Sequence, residues 1–106
     1  MGVFQRKREN GESGMLFAIN YTTRSSAASK ADTAALMAEF GKRGEVAGTV
    51  AHYVYPGGGG ILIAEQDDPA VLYESVTAYA AWLEFDIRPV LTIDAAVPLI
   101  LNYLGA

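Results

Sequence analysis

Four consecutive glycines, Gly57–Gly60, stand between two apolar stretches and restrict the fold more than any other feature of the sequence. Residues 48–56 before them and residues 61–65 after them have the composition of strands. Glycine readily adopts the positive φ angles of tight turns between antiparallel strands, so the sequence predicts a β-hairpin. A phosphate-binding loop is disfavoured because the glycines lead into a strand, with no Gly-Lys-Ser/Thr before a helix. An interdomain linker is disfavoured because neither half of the chain is long enough for a domain.

A symmetric turn at these glycines has a consequence for the histidine of the chain. It would place Pro56 opposite Ile61 and, further along the same ladder, His52 opposite Glu65. Directly opposed side chains lie about 5 Å apart, close enough for an imidazole–carboxylate hydrogen bond. Such a pair can serve as a catalytic acid–base pair, with the carboxylate orienting the imidazole, or as a structural cross-strand contact. A one-residue bulge would break this register.

Periodicity and capping signals place further helices and strands around the hairpin. They predict a strand at 15–22, a helix from the serines at 25–29 to about Phe40, a helix opened by Asp68 and Pro69, a strand at 84–93 and a short apolar helix at 98–105. Gly41 and Gly44 are expected to end the first helix. The order βαββαβ predicts an α+β, ferredoxin-like fold: a four-stranded antiparallel sheet with two helices on one face, plus the C-terminal helix.

Length and composition indicate one domain at 15–106, preceded by a polar basic tail at 1–14. The net charge of −4 argues against nucleic acid as a partner, because phosphate binding needs a basic face. With no cysteine in the chain, disulfides and thiolate-ligated metals are excluded. The longest apolar run, residues 95–101, is too short for a transmembrane segment, and no apolar signal-peptide region follows the basic residues of the tail. We therefore expect a cytoplasmic protein.

The two strands expected at the centre of the sheet are apolar on both faces. In the strand at 15–22, Phe17 and Ile19 alternate with Leu16 and Ala18, and the strand at 61–65 is equally apolar. Two helices cover only one face of a sheet, and monomers rarely leave a large apolar face in water. We therefore expect a homodimer formed through the helix-free sheet faces.

Three segments of the chain resemble a known family. They are "MLFAINYT" at 15–22, "GGGGILIAEQDDPAVLYE" at 57–74 and "LEFDIRPVLTID" at 83–94. Together they resemble a short bacterial family of unknown function in the dimeric α/β-barrel superfamily. The resemblance implies ferredoxin-like subunits that dimerise sheet to sheet, in agreement with the apolar faces. The superfamily includes cofactor-free monooxygenases, isomerases, cyclases and haem enzymes, so the fold alone assigns no function.

Five further residues are candidates for ligand binding, namely Tyr53, Tyr55, Trp82, Asp86 and Arg88. The three aromatic residues can instead be packing residues. The two charged residues alternate along the last strand, where they would line the mouth of a barrel or form a salt bridge. A single histidine with scattered carboxylates offers fewer ligands than a metal ion needs, and nothing indicates a haem pocket. We therefore expect no metal and no cofactor.

Two functions remain open at this point. The chain is a small-molecule binding protein or cofactor-free enzyme with an apolar pocket between sheet and helices, or an interaction subunit. In the second case the tail and the C-terminal helix dock onto a larger protein assembly. Six large apolar residues within 97–104 cannot all face one side of a short helix. We expect one side of this helix to pack on its own subunit and the other on a neighbouring chain.

Overall fold

The computed structural model of the protein describes residues 7–8, 11–12 and 15–105. Its elements are β1 (Lys7–Arg8), β2 (Gly11–Glu12), β3 (Met15–Thr23), a 3₁₀ turn (Ser25–Ala27), α1 (Lys30–Arg43), β4 (Thr49–Val54), β5 (Gly60–Gln66), α2 (Pro69–Thr77), β6 (Leu83–Val90) and α3 (Ile93–Tyr103). From β3 to β6 the order is βαββαβ, so the predicted α+β, ferredoxin-like fold is confirmed. Among the described residues of the tail, β1 and β2 pair with each other as a two-stranded sheet that is separate from the main one.

The main sheet has four antiparallel strands in the order β4-β5-β3-β6, with the two doubly apolar strands at its centre, as predicted. On the helix-covered face, Ile19 of β3 lies opposite Leu62 of β5. Ile19 is fully buried and packs in one cluster with Leu62 and with Leu72 and Val76 of α2. Burying one such aliphatic side chain contributes about 1.5–3 kcal/mol, so this cluster fixes the sheet against α2.

Helix α1 begins at the capping signal in its sequence and ends later than predicted. The Ser29 hydroxyl accepts a hydrogen bond from the Asp32 amide at 3.0 Å, and the Asp32 carboxylate accepts one from the Ser29 amide at 3.3 Å. The helix ends at Gly44, whose amide donates to the Phe40 carbonyl at 2.8 Å. Gly41 lies inside the helix, so the prediction that it ends the helix is wrong. A single glycine weakens a helix by about 0.5–1 kcal/mol relative to alanine without breaking it.

Helix α2 begins where the sequence predicts. Pro69 is its first residue, and the Asp68 carboxylate accepts a hydrogen bond from the Ala70 amide at 3.0 Å. The proline suits this position because the first amides of a helix have no intrahelical partner.

The hairpin between β4 and β5 has a different register from the predicted one. Its loop is closed by the Tyr55 amide, which donates to the Gly59 carbonyl at 2.9 Å, while Gly60 is already a strand residue opposite Val54. His52 therefore lies opposite Leu62, and the predicted pairing of His52 with Glu65 is wrong. The symmetric turn would have used all four glycines in the loop. The resulting shift of three residues is odd, so Glu65 lies on the opposite face of the sheet from His52.

Helix α3 starts five residues before the predicted start at residue 98, because the Thr92 hydroxyl caps it by accepting from the Ala95 amide at 3.1 Å. The same cap ends β6 at Val90, earlier than predicted. No residue of α3, a helix described along its whole length, is buried. The predicted packing of one side on its own subunit is therefore wrong. Across the described residues, every helix is too short or too polar to cross a membrane.

Candidate functional site

A cavity of about 350 Å³ lies between α1 and the helix-covered face of the sheet. Its apolar walls are formed by Leu36, Met37 and Phe40 of α1 and by Val46, Val54, Leu62, Leu83 and Phe85. No residue of α1, which the structure describes from end to end, is buried, because the inner side of this helix faces the cavity instead of packing on the sheet. The volume lies at the lower end of the range of about 300–1,000 Å³ typical of small-molecule sites.

Three polar side chains at this cavity are connected by hydrogen bonds, and together they form a hydrogen-bonded chain. The Glu45 carboxylate lies 2.7 Å from Nδ1 of His52, and Nε2 of His52 lies 2.7 Å from the phenol oxygen of Tyr21. All three residues line the cavity. The His52 side chain is 19% exposed and the Glu45 side chain 47%, so the chain runs from the solvent edge toward the interior.

The strand register places the members of this chain. His52 points to the helix-covered face because it lies opposite Leu62. Tyr21 follows Ile19 by two residues on β3 and shares its face. Glu45 comes directly after Gly44, the residue that caps α1, and so lies at the cavity edge.

Gly60 provides the space that the Tyr21 ring occupies. A Cβ atom at Gly60 would lie 2.6 Å from the phenol oxygen of Tyr21 and 2.5 Å from the Tyr53 carbonyl oxygen. Both distances are too short for real contacts, so a side chain here would displace the Tyr21 ring. The last glycine of the run thus serves the site as well as the hairpin.

Burial sets the acidity of the two phenols in the cavity. It is the main cause that raises the pKa of Tyr21 above its ordinary value of 10.0, and the charges of Glu45 and Tyr55 add to the effect. Burial also raises the pKa of Tyr79, against a smaller lowering by the positive charge of Arg43, and the negative charges of Glu39 and Glu45 raise it a little further. The Tyr79 hydroxyl donates to the Gly44 carbonyl at 3.2 Å. Both phenols are therefore neutral at neutral pH.

The donor and acceptor roles along this hydrogen-bonded chain of side chains follow from the carboxylate of Glu45. A carboxylate only accepts hydrogen bonds, so Nδ1 of His52 carries the hydrogen that points to Glu45. In the neutral imidazole, Nε2 then accepts the hydrogen of Tyr21. The arrangement can take up a proton at Nε2 and stabilise the resulting imidazolium with Glu45, which is the chemistry of general acid–base catalysis.

The seven residues predicted from the sequence occupy different places in the structure. Of these seven, all of which the structure describes, His52 alone lines the cavity. Glu65 and Tyr53 lie on the helix-free face, and Tyr53 is 69% exposed. Tyr55 is 45% exposed, and its hydroxyl donates to the Asn20 side chain at 3.0 Å.

The other three predicted residues also lie outside the cavity. Trp82 stands in the turn before β6, where its carbonyl accepts a hydrogen bond from the Arg24 amide at 2.8 Å. Asp86 and Arg88 form an exposed ion pair at 3.2 Å, which is the second of the two interpretations given for them. A binding role for any of these residues stays a prediction.

Two members of the site, Tyr21 and Glu45, are absent from the set predicted from sequence. The alternation along β3 places Tyr21 on the face of Phe17 and Ile19, so its position was accessible to sequence analysis. Glu45 lies in a loop after α1 and carries no local signal for a partner in β4. Among the described residues, no group of three His, Cys, Asp or Glu side chains lies close enough together to hold a metal ion.

One family model of known proteins matches a region of the sequence that includes both the fold and the site. The family model of a domain of unknown function, DUF3303, matches residues 15–104, which include every residue of the cavity. No curated protein and no solved structure shows significant similarity to the chain.

Proposed function

The chain belongs to the DUF3303 family of domains of unknown function, and we propose that it is a cofactor-free acid–base enzyme for a small apolar molecule. The observation that carries this proposal is the apolar cavity reached by the hydrogen-bonded chain of Glu45, His52 and Tyr21. A mostly apolar pocket with a few convergent polar groups is the usual form of a small-molecule site.

The residues have distinct roles in the proposed reaction. Tyr21 contacts the bound molecule and takes a proton from it, while its own hydrogen passes to Nε2 of His52, and both transfers reverse when the proton returns to the molecule. Glu45 holds the imidazole by Nδ1 and stabilises the charged form that results. A positioned acid–base group of this kind accelerates a reaction by about 10²–10⁴-fold.

The binding step is tested by two valine variants on one strand. Val54 lines the cavity and is 73% exposed, whereas Val50, 61% exposed on the same strand, does not line it. A panel of small apolar molecules is screened by thermal shift, and the molecules that stabilise the wild type are titrated. We expect Val54→Trp to abolish their binding by obstructing the cavity, and Val50→Trp to retain it. Equal binding by both variants would place the ligand elsewhere and refute the site.

The catalytic step is tested with the molecules that bind. His52→Gln keeps a polar side chain of similar length but cannot take up a proton. We expect it to retain binding within about threefold and to lose about 10²–10⁴-fold in turnover. Turnover equal to that of the wild type would contradict the catalytic role of His52 and leave only the proposed binding of a small molecule.

We also propose a homodimer formed through the helix-free sheet faces, which would place the chain in the dimeric α/β-barrel superfamily. The helix-free face carries Leu16, Ala18, Ile61 and Ile63 on the two central strands, all of them only half-buried in the single subunit. A second copy would remove these side chains from water.

An interaction role is the second candidate, and α3 is the observation that favours it. Six large apolar residues of this segment are at least 40% exposed, namely Val97, Leu99, Ile100, Leu101, Tyr103 and Leu104. Such a surface is typical of a protein–protein contact. The side chains of the N-terminal tail, the other predicted docking segment, lie outside the described residues.

A further inference from the structure

We infer that the cavity selects neutral apolar molecules that carry a hydroxyl group, and that this hydroxyl donates its hydrogen to the phenol oxygen of Tyr21. The inference rests on the proposed function and names the class of molecule that its site takes. A phenol or an enol of about two rings has the required chemistry.

The direction of the hydrogen-bonded chain determines what Tyr21 offers to a ligand. Because Glu45 only accepts, the single hydrogen of a neutral imidazole lies on Nδ1, and Nε2 needs a donor. That donor is the Tyr21 hydroxyl, 2.7 Å away. The hydrogen of Tyr21 is thereby committed to His52, and its oxygen presents lone pairs to the cavity.

The other polar side chains of the cavity have the same character. The Tyr79 hydroxyl donates to the Gly44 carbonyl, so its oxygen is left with only an acceptor to offer a ligand. Glu45 adds a carboxylate at the cavity edge. Each side-chain donor among the described lining residues is thus already engaged within the protein. A ligand has to supply a donor of its own, because a buried acceptor gains a hydrogen bond only from such a ligand.

The charge of the cavity disfavours an organic anion as the ligand. Of the described residues that line the cavity, none is a lysine or an arginine, and the charge present is that of Glu45. Arg43 and Lys42, the nearest basic residues in sequence, both pair with Glu39 on α1. A carboxylate ligand would meet acceptors and a negative charge, and would bind poorly.

Three probes of one ring system separate these cases. They are 2-naphthol, which donates a hydrogen bond, 2-methoxynaphthalene, which does not, and 2-naphthoate, which is an anion. Calorimetric titration of the full chain at slightly alkaline pH gives the three dissociation constants. We expect 2-naphthol to bind about five- to tenfold more tightly than 2-methoxynaphthalene, and 2-naphthoate to bind most weakly.

Two variants assign the preference to Tyr21. Tyr21→Phe should bind 2-methoxynaphthalene as the wild type does and lose the preference for 2-naphthol. Tyr73→Phe, which alters a tyrosine 67% exposed on α2, should keep that preference. The ranking of the three probes on the wild type tests the inference even if Tyr21→Phe folds poorly.

The outcomes separate the inference from the proposed function. Binding of the neutral probes without a preference for 2-naphthol, or with tightest binding of 2-naphthoate, would overturn the inference and leave the cavity a binding site. Absence of binding by any of the three probes, together with a negative thermal-shift panel, would overturn the proposed function itself.

Discussion

At the scale of single residues, the site depends on Gly60 having no side chain as much as on the side chains around it. The Tyr21 ring lies against the backbone of Gly60, and this contact holds the phenol within reach of His52. The glycine run therefore combines two requirements. Its tip needs positive φ angles, as at Gly59 with φ of +84°, and its last member needs space above the strand.

Alanine at two glycines of this run should change the stability by very different amounts. Gly60→Ala is expected to cost about 1–3 kcal/mol of the free energy of unfolding, because its Cβ collides with Tyr21 and with the Tyr53 carbonyl. Gly57→Ala meets no atom within 4 Å and should change the stability by less than about 0.5 kcal/mol. Urea unfolding of both variants measures the difference. Equal stabilities would show that Gly60 is not needed for close packing.

The raised pKa of the Tyr21 phenol predicts how stability depends on alkaline pH. Below the ordinary value of 10.0 the phenol is neutral in both the folded and the unfolded chain. As the pH rises past that value, the unfolded chain releases the proton first, so the free energy of unfolding falls. In Tyr21→Phe this fall should be smaller, with Tyr79 still contributing a part. Urea unfolding at several alkaline pH values measures it, with Tyr73→Phe as the exposed control. An unchanged fall in Tyr21→Phe would contradict the assignment.

At the scale of secondary-structure elements, α1 is held by its ends because its inner side faces a cavity. The capping box at Ser29 and Asp32 is therefore important for the outer wall of the site. Ser29→Ala should lower the free energy of unfolding by about 1 kcal/mol and weaken ligand binding in parallel. Ser26→Ala, in the exposed 3₁₀ turn just before the helix, is the matched control. If both variants behaved alike in urea unfolding and in calorimetry, the cap would have no special role.

The elements also show what sequence analysis predicts and what it leaves out. The start of α2 at Asp68 and Pro69 was predicted correctly because capping is decided within a few neighbouring residues. The hairpin register was predicted wrongly, since four glycines allow several turns and the choice depends on packing of the tip against β3. Gly59 and Gly60 contact Tyr21 and its neighbours there, which no local pattern reveals. The error moved the expected partner of His52 from Glu45, in a loop, to Glu65 on the opposite face.

At the scale of the whole molecule, the residues that the structure describes leave two apolar surfaces of the single subunit exposed or only half-buried. One is the helix-free face of the sheet, and the other is α3. The proposed homodimer covers the first of them. Ile63 lies near the centre of that face, opposite Ala18 on β3 and Ala51 on β4.

A charge at the centre of this face should separate the subunits. Ile63→Lys would bury an unpaired ammonium in the proposed interface, which is strongly unfavourable. Sedimentation at micromolar concentration should show the wild type at twice the subunit mass of 11.3 kDa and the variant at the subunit mass. Ala35→Lys, on the exposed side of α1, should stay dimeric. A wild type that sediments as a monomer would refute the dimer outright.

Removing residues 97–106 tests whether the other apolar surface also belongs to an interface. Because no residue of α3 is buried in the subunit, the deletion removes no core contact, and the urea midpoint of the separated subunit should hardly change. The exposed side chains from Val97 to Leu104 would lose an interface, so assembly should weaken about tenfold or more in dissociation constant. Deletion of residues 1–14 is the control, and it should leave both quantities nearly as they are. Assembly unaffected by loss of the C-terminal residues would contradict an interface role for α3. A large loss of subunit stability would show instead that the helix packs on its own subunit.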